Sequence, residues 1–339
     1  MDPDATPRGT TRIGRTRDGH AVHRAVISNG VLTVSLLDMG AIVRDLRLAG
    51  VAHPLCLGAR DLGSYDGLMS HFGAVIAPVA NRIGHGQATI DGVPHRFERN
   101  QDGRHTLHSG AASTQHAIWR VADLAPDRAA FEIDLPDGQG GFPGNRHVRV
   151  DYGLDGASLS VEITARTDAP TLMNPAWHPY WSLHPTPGEA PMTLQVTAER
   201  YLPVDEDTLP RGGPVPVEGT AFDFRTPRRL VPGDVPDLDH NFCLSDAPRA
   251  LTHAARLTSD GGLRLDLETT APGLQVFDMH PFGIGSRRTN HARPYPPRAG
   301  VALEAQNWPD APGRAGFPGI DLAPGETFQQ ATRVTFGKA

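Results

Sequence analysis

The stretch VRVDYGLDGASLSVEI, from Val148 to Ile163, carries the pattern that decides the fold. Apolar residues occupy alternate positions on both sides of a central Asp155-Gly156 pair. Alternation with a period of two buries one face of a strand and leaves the other face in water, which is typical of antiparallel sheets. Asp-Gly is a preferred pair for the tight turn of a hairpin. The stretch therefore predicts two antiparallel strands joined by a turn.

The same alternation recurs along the rest of the chain. Polar residues separate the apolar positions in three further sets: Phe131, Ile133, Leu135; Met192, Leu194, Val196; and Leu263, Leu265, Leu267. Glycine (37) and proline (31) are scattered between such segments, with turn signals at Asp91-Gly92 and Asp260-Gly261-Gly262. We find no stretch of a dozen residues with helical spacing. The sequence therefore predicts an all-β fold, a large antiparallel β-sandwich.

Chain length leaves the number of domains open, because 339 residues suffice for two average domains or for one long sandwich. The segment from Pro203 to Asp239 is rich in proline, glycine and charge, as a domain boundary or a long surface loop would be. Alternating strands of similar character lie on both sides, which favours the loop. We expect residues 1–19 to form a poorly ordered tail and residues 20–339 to form a single β-sandwich domain.

Composition argues against several classes of partner. Acidic residues (38) outnumber basic residues (32), and the net charge of -6 offers no basic field to attract nucleic acid. Cys56 and Cys243 form no C-x-x-C pair, so we expect two reduced thiols. No signal-like apolar segment follows the N-terminus, and apolar runs such as Gly73 to Ala80 are too short to span a membrane. These features predict a cytoplasmic protein without nucleic-acid or membrane partners.

Several signatures of catalysis are missing from the sequence. The Walker phosphate loop, G-x-G-x-x-G after a strand and G-x-S-x-G are all absent, which disfavours phosphoryl, nicotinamide and serine-hydrolase chemistry. Two His-x-x-His pairs, His20/His23 and His105/His108, have the residue types of a metal site. Side chains three apart on a strand point to opposite faces, so we expect no metal site there.

Five polar motifs lie in otherwise apolar or turn-like stretches. A sandwich with a concave face would gather such side chains from several strands. Each residue also has a structural alternative: Arg82 as a surface cation, the histidines as core residues, Asp239 as a turn residue. Glu304 fits this alternative least, because a charge directly after an apolar run needs a partner. The motifs are Asn81-Arg82-Ile83, Leu107-His108-Ser109-Gly110, His178-Pro179-Tyr180-Trp181, Asp239-His240-Asn241-Phe242 and Leu303-Glu304-Ala305-Gln306.

In chain order, these motifs resemble those of the aldose 1-epimerase (galactose mutarotase) family. The resemblance covers about residues 20 to 337 and includes further segments between the motifs. Those segments are Asp38-Met39-Gly40-Ala41, Leu57-Gly58 through Tyr65, Asp91-Gly92 with Asn100, Gly141-Phe142-Pro143-Gly144-Asn145, Pro309-Asp310-Ala311, Phe317-Pro318 and Pro324-Gly325-Glu326.

The resemblance implies a fold, an activity and a site. The fold would be a galactose mutarotase-like supersandwich, and the activity the interconversion of α and β anomers of a free sugar without metal or organic cofactor. Glu304 would be the base at the C1 hydroxyl and His178 the acid at the ring oxygen. The predicted substrate-binding residues are Arg82, His108, Asp239, Asn81, Tyr180, Gln306 and Trp308. The partner would be a small-molecule sugar, and the protein a monomer or homodimer.

The expected pKa values suit this pair of roles. Partial burial should raise the pKa of Glu304 above its ordinary value of about 4.3 and make the carboxylate a better base. His178 would have both protonation forms available if its pKa stays near the ordinary value of about 6.5.

Departures from the family pattern leave the sugar open. Pro78 stands where many members carry arginine, Trp177 precedes the second histidine motif, and Asn307-Trp308 follows Gln306. With Tyr180 and Trp181, these tryptophans could form an indole-rich rim that contacts the sugar ring. Core packing is at least an equal alternative for Trp177 and Trp181.

Other functions fit the same fold. One alternative is a sugar-binding or regulatory module without turnover, against which the retained Glu304 and His178 argue. Another is an enzyme on a modified sugar, such as a hexose-6-phosphate epimerase or a sugar lactonase. The phosphate version needs arginines at the site, for which Arg228-Arg229 and Arg287-Arg288 are candidates.

Overall fold

The computed structural model describes residues 6–338, and its largest feature is a nine-stranded antiparallel sheet. The hairpin predicted from Val148 to Ile163 lies within it, with Val150 paired to Ile163 and Tyr152 to Val161. In spatial order, the strands are Arg120–Ala125, Arg128–Leu135, Arg146–Asp155, Ser158–Thr167, Phe328–Lys338, Leu263–Thr269, Thr252–Thr258, Thr193–Val196 and Arg228–Arg229.

A six-stranded antiparallel sheet packs against the first. Leu274 and Leu303 of this sheet share one hydrophobic core with Phe131 and Leu265 of the larger sheet. The predicted all-β antiparallel sandwich is confirmed, because no α-helix occurs between residues 6 and 338. The strands are, in spatial order, Tyr180–Trp181, Val301–Gln306, Gly273–Phe277, Asp239–Cys243, Arg200–Tyr201 and Val215–Pro216.

Smaller elements cover the rims of the two sheets. A four-stranded antiparallel sheet contains Thr11–Arg15, Ala21–Ser28, Leu32–Leu37 and Val43–Leu48. Four ribbons pair Val75–Ile76 with Ala176–Trp177, Arg82–Ile83 with Thr106–Leu107, Gln87–Ile90 with Val93–Arg96, and Thr171–Leu172 with Asp321–Leu322. The short 3-10 turns are Gly63–Asp66, Gly84–Gly86, Gly110–Ala112 and Gln139–Gly141.

Burial follows the predicted alternation. Along Arg146–Asp155, the side chains of Val148, Val150 and Tyr152 are buried, and the residues between them are partly exposed. The Asp91-Gly92 pair joins two strands with φ angles of 47° and 75°, as a tight turn with two left-handed positions requires. The period-two pattern therefore identified both the strand faces and the turn.

The segment from Pro203 to Asp239 is more ordered than a surface loop. Val215–Pro216 pairs with a strand of the six-stranded sheet, and Arg228–Arg229 pairs with a strand of the nine-stranded sheet. Val217 and Phe224 are buried in the common core. The segment therefore follows the edges of both sheets and joins them.

The N-terminal region also differs from the expected tail over residues 1–19. Thr11–Arg15 forms a strand that pairs with Ala21–Ser28, and Ile13 packs against a buried cluster. This pairing orders residues whose sequence shows no clear alternation. Residues 1–5 lie outside the described residues.

A single domain over residues 20–339 stays a prediction, which unfolding can test. Because one core is shared by both sheets, heating or urea should produce one cooperative transition, seen at the same midpoint by tryptophan fluorescence and far-ultraviolet circular dichroism. Two separated transitions would contradict a single domain and would place a boundary within residues 203–239.

Candidate active site

A cavity of about 300 Å³ opens on the face of the six-stranded sheet that points away from the core. Its volume lies at the lower end of small-molecule sites, which range over roughly 300–1,000 Å³, and suits one sugar ring. The lining residues are Gly67, Leu68, Ser70, His71, Asn81, Arg82, Leu107, His108, His178, Tyr180, Asp239, Phe277, Phe282 and Glu304.

Strand alternation places the acidic groups of this cavity. Every residue of Val301–Gln306 is buried, and Leu303 points into the hydrophobic core while Glu304 points into the cavity. Glu304 pairs across the sheet with Gln275, and Asp239 pairs with Phe277 two residues further along. The cavity floor is therefore a set of cross-strand neighbours on a rigid sheet.

Glu304 and His178 form a direct pair at the bottom of the cavity. The Oε1 atom of Glu304 lies 3.3 Å from Nε2 of His178, and both side chains are almost fully buried. The Oε2 atom of Glu304 and Nδ1 of His178 have no protein hydrogen-bond partner within residues 6–338. The contact leaves Oε2 of Glu304 without a protein partner among these residues and available to another ligand.

Burial shifts the two pKa values in opposite directions. Desolvation, followed by the charge of Asp239, raises the pKa of Glu304 well above its ordinary value, and Arg82 opposes the rise. Desolvation, with a smaller effect of His71, lowers the pKa of His178 to about 3. The rise at Glu304 agrees with expectation, but His178 does not have both forms available near neutral pH. Both shifts therefore favour the uncharged form of each group.

Arg82 is held in place along one wall. Its Nε donates to Oε1 of Gln101 at 3.0 Å and its Nη1 to Oδ1 of Asn81 at 3.3 Å. Its Nη2 lies 3.6 Å from Oδ2 of Asp239, whose other oxygen accepts a 2.6 Å hydrogen bond from Nε2 of Gln275. The fixed guanidinium and carboxylate offer donors and acceptors side by side, the combination that sugar hydroxyls need.

His108 presents a fixed donor to the cavity. Its Nδ1 accepts a 3.0 Å hydrogen bond from the backbone N–H of Asn81, so the neutral ring carries its hydrogen on Nε2. Burial lowers the pKa of His108 well below its ordinary value, with the neighbouring His71 and His178 adding to the effect. Both Asn81 and His108 have positive φ angles, 58° and 50°.

The structure brings seven of the nine predicted site residues together. The two exceptions are Gln306 and Trp308, which are fully buried outside the cavity lining. Trp308 donates its indole N–H to the carbonyl of Pro272 and packs edge-on against Phe317. The indole-rich rim is also wrong, because Trp177 and Trp181 belong to the sandwich core.

Other aromatic and polar side chains take the place of the indoles. Phe277, Phe282 and the exposed Leu68 supply the apolar wall, and His71 contacts both His108 and His178. Gln275, which positions Asp239, had a signal in the sequence because it interrupts the apolar run Leu274 to Phe277. His71 lies in a turn and had no such signal.

The remaining candidate groups lie elsewhere. His23 bonds to Asp38 in a buried pair, and His105 contacts Asp207. No group of three or more potential metal ligands occurs within residues 6–338. Cys56 and Cys243 are free and buried. None of the helical segments in the described part of the chain is long and apolar enough to cross a membrane.

The described residues thus form an antiparallel β-sandwich with a carboxyl–imidazole pair buried in its cavity. A sequence model of the family described as aldose 1-epimerase matches residues 23–335. Galactose mutarotase of Rattus norvegicus is 34% identical over 330 residues, covering 95% of this chain and 96% of that protein. Aldose 1-epimerase of Escherichia coli K12 is 30% identical over 327 residues, covering 91% of this chain and 93% of that protein.

Solved structures agree with the sequence relatives. A GalM/aldose epimerase homologue from C. elegans superposes with a TM-score of 0.87 at 26% identity, covering 94% of this chain and 100% of that chain. Galactose 1-epimerase from Lactobacillus acidophilus NCFM gives a TM-score of 0.83 at 27% identity, with coverage of 97% and 98%. The chain belongs to the aldose 1-epimerase family, and it is an isomerase.

The protonation state of His178 can be measured directly. Its ring should stay neutral from pH 8 to pH 5 in the folded protein, because its pKa is lowered to about 3. The unfolded chain binds this proton near pH 6.5, so the stability contributed by neutral His178 is lost as pH falls from about 6.5 toward 3. Nitrogen chemical shifts of the imidazole, compared with those in urea-unfolded protein, provide the measurement. A folded-state midpoint above pH 6 would contradict the environment described.

Proposed function

We propose that this protein interconverts the α and β anomers of a free aldose, with Glu304 and His178 as its proton-transfer pair. The observation that carries the proposal is the 3.3 Å contact between these groups inside a cavity that also presents Arg82 and Asp239. A binding module needs the hydroxyl-binding residues but has no use for a buried pair with opposed proton affinities.

The reaction needs two proton transfers and no redox change. The base removes the proton from the C1 hydroxyl while the acid protonates the ring oxygen, and the bond between C1 and that oxygen breaks to give the open-chain aldehyde. Rotation about the bond between C1 and C2 exposes the other aldehyde face. Closure reverses both transfers and yields the other anomer. Atoms and charges balance without a metal or an organic cofactor.

One proton shared by the pair is enough for this cycle. The two pKa shifts favour the state in which Glu304 carries the proton and His178 is neutral. Transfer of that proton to His178 gives the carboxylate and the imidazolium that ring opening requires, without a change in total charge. The Arg82 guanidinium favours this form because it lowers the pKa of Glu304. Both states hold the same number of protons, so they interconvert without exchange with solvent.

Other residues would orient the sugar. Arg82, Asp239 and the Nε2–H of His108 would hold its hydroxyl groups, supported by Asn81. Tyr180 and the two phenylalanines of the wall would contact its C–H groups. Gln306 and Trp308 would contribute only indirectly, because neither lines the cavity.

A phosphorylated sugar fits less well. Arg82 is the one lysine or arginine among the cavity-lining residues, and Asp239 and Glu304 would repel a phosphate. Arg229 pairs with Asp260, Arg228 donates to backbone carbonyls, and Arg287 and Arg288 lie exposed elsewhere.

We further propose a cytoplasmic location, which two free buried thiols suit, and a monomer or homodimer.

Polarimetry on freshly dissolved α-anomers of pentoses, hexoses and uronic acids tests the activity. Wild-type protein should accelerate equilibration of at least one sugar and keep its activity in EDTA. Glu304→Gln should lose about 10²- to 10⁴-fold in kcat, with KM changed far less, because it keeps the side chain's size but cannot take the proton. Glu189→Gln, an exposed site outside the cavity, is the matched control.

Thermal melting separates catalytic from structural loss. Because folding raises the pKa of the Glu304 carboxyl, this group contributes most to the stability of the folded protein relative to the unfolded chain below the unfolded-state pKa. This contribution is lost as pH rises. The buried Glu304 carboxyl is therefore unfavourable for the folded state at pH 7 to 8. Glu304→Gln should therefore melt no lower than wild type at this pH. Unchanged kcat in a folded variant would refute the assignment. Sugar binding without acceleration would indicate a binding module.

A further inference from the structure

The imidazole of His178 lies in a stack of four aromatic rings. Its centroid is 5.7 Å from that of His71, with 25° between the planes, and 5.0 Å from that of Tyr180, with 31° between them. Tyr180 in turn stacks on Phe72 at 4.0 Å. Ring contacts at these separations are attractive and set the relative orientation of the planes.

No side-chain hydrogen bond orients His178 from behind. A catalytic histidine is commonly held by a partner on its second ring nitrogen, which fixes its tautomer and its plane. Here Nε2 faces Glu304, and Nδ1 is buried without a protein partner in the described part of the chain. Apart from the contact with Glu304, the neighbouring rings set the plane of His178.

The backbone places the outer rings of the stack. The N–H of Gly73 donates to the carbonyl of His178 at 2.9 Å, and the N–H of His178 donates to the carbonyl of Ala74 at 2.9 Å. These two bonds hold the chain after His71 and Phe72 against the chain at His178. The consecutive residues His71 and Phe72 are thereby positioned at the two ends of the stack.

His71 is itself held with both nitrogens occupied. Its Nε2 lies 3.4 Å from Nε2 of Gln115, an amide nitrogen that only donates, and its Nδ1 lies 3.3 Å from Oγ of Ser70. The ring must therefore accept at Nε2, which requires its neutral form. Burial, with the nearby His116, lowers the pKa of His71 to about 4 and favours the same form. His71 therefore presents an uncharged ring face to His178.

We propose that His71 is a positioning residue that fixes the plane of His178 by stacking, and so directs Nε2 of His178 at Glu304 and at the sugar's ring oxygen. This inference rests on the proposed role of His178 as the acid. An uncharged neighbour matters because a cation at this distance would oppose the proton that His178 must accept. The flat ring is the property that His71 contributes, and its nitrogens serve to hold it.

Two substitutions of similar size distinguish the effect of the flat His71 ring from the effect of its nitrogen atoms. His71→Phe keeps a flat ring and should retain kcat within about threefold. His71→Leu fills similar space without a plane, and its kcat should fall about 10- to 100-fold with KM within about threefold, since small misplacements of a reacting group have effects of this size. His20→Ala, at an exposed residue outside the cavity lining, is the control and should match wild type. Thermal melting verifies that each variant is folded.

The other outcomes distinguish the possible failures. Equal kcat in the folded Phe and Leu variants would overturn the stacking role. A large rise in KM in both would also overturn it, and would assign the His71 nitrogens to sugar binding. Wild type and His178→Asn are measured in the same assay. An inactive wild type would refute the proposed function. If His178→Asn loses kcat while both His71 variants keep it, only the role of His71 is refuted.

Discussion

The burial of a carboxyl group at the bottom of the cavity is the constraint on which this structure depends. Glu304 occupies Val301–Gln306, where every side chain is buried, and an unpaired charge there would be strongly unfavourable. Two features of its environment accommodate the buried carboxyl. The raised pKa favours the neutral carboxyl, and Nε2 of His178 lies 3.3 Å from its Oε1 atom. The proposed role of Glu304 in proton transfer depends on these two features.

The sandwich supplies the rigidity that this arrangement needs. One face of the six-stranded sheet packs on the nine-stranded sheet through residues such as Leu274 and Leu303, and the other face carries Asp239, Gln275 and Glu304 in adjacent cross-strand positions. Side chains on packed strands have little freedom, so distances among them are maintained without a ligand. Segments outside the sheet carry Arg82, His108 and His71, which complete the cavity lining.

The sequence predicted what depends on local periodicity. Alternation between Val148 and Ile163 gave the strands and their buried faces, and Glu304 stood out because three apolar residues precede it. Gln275 carries the same kind of signal and was missed, since its role depends on pairing with the strand of Asp239.

Errors arose where the answer depends on distant parts of the chain. Trp308 lies beyond the end of Val301–Gln306, where alternation no longer indicates a face, and its indole is held by the carbonyl of Pro272. The strand Thr11–Arg15 forms because Ala21–Ser28 offers a free edge, which no local pattern reveals. The pKa of His178 departs from its ordinary value because folding removes water from the ring.

A double-mutant cycle tests the central claim, that Glu304 and His178 act as one proton-transfer unit. The kcat values of Glu304→Gln, His178→Asn and the double variant would be measured by polarimetry on a sugar that the wild type equilibrates. Groups that act as a unit give strongly non-additive losses, so the double variant should be within about tenfold of either single variant. Losses that multiply would show that the two residues contribute independently and would contradict the shared proton.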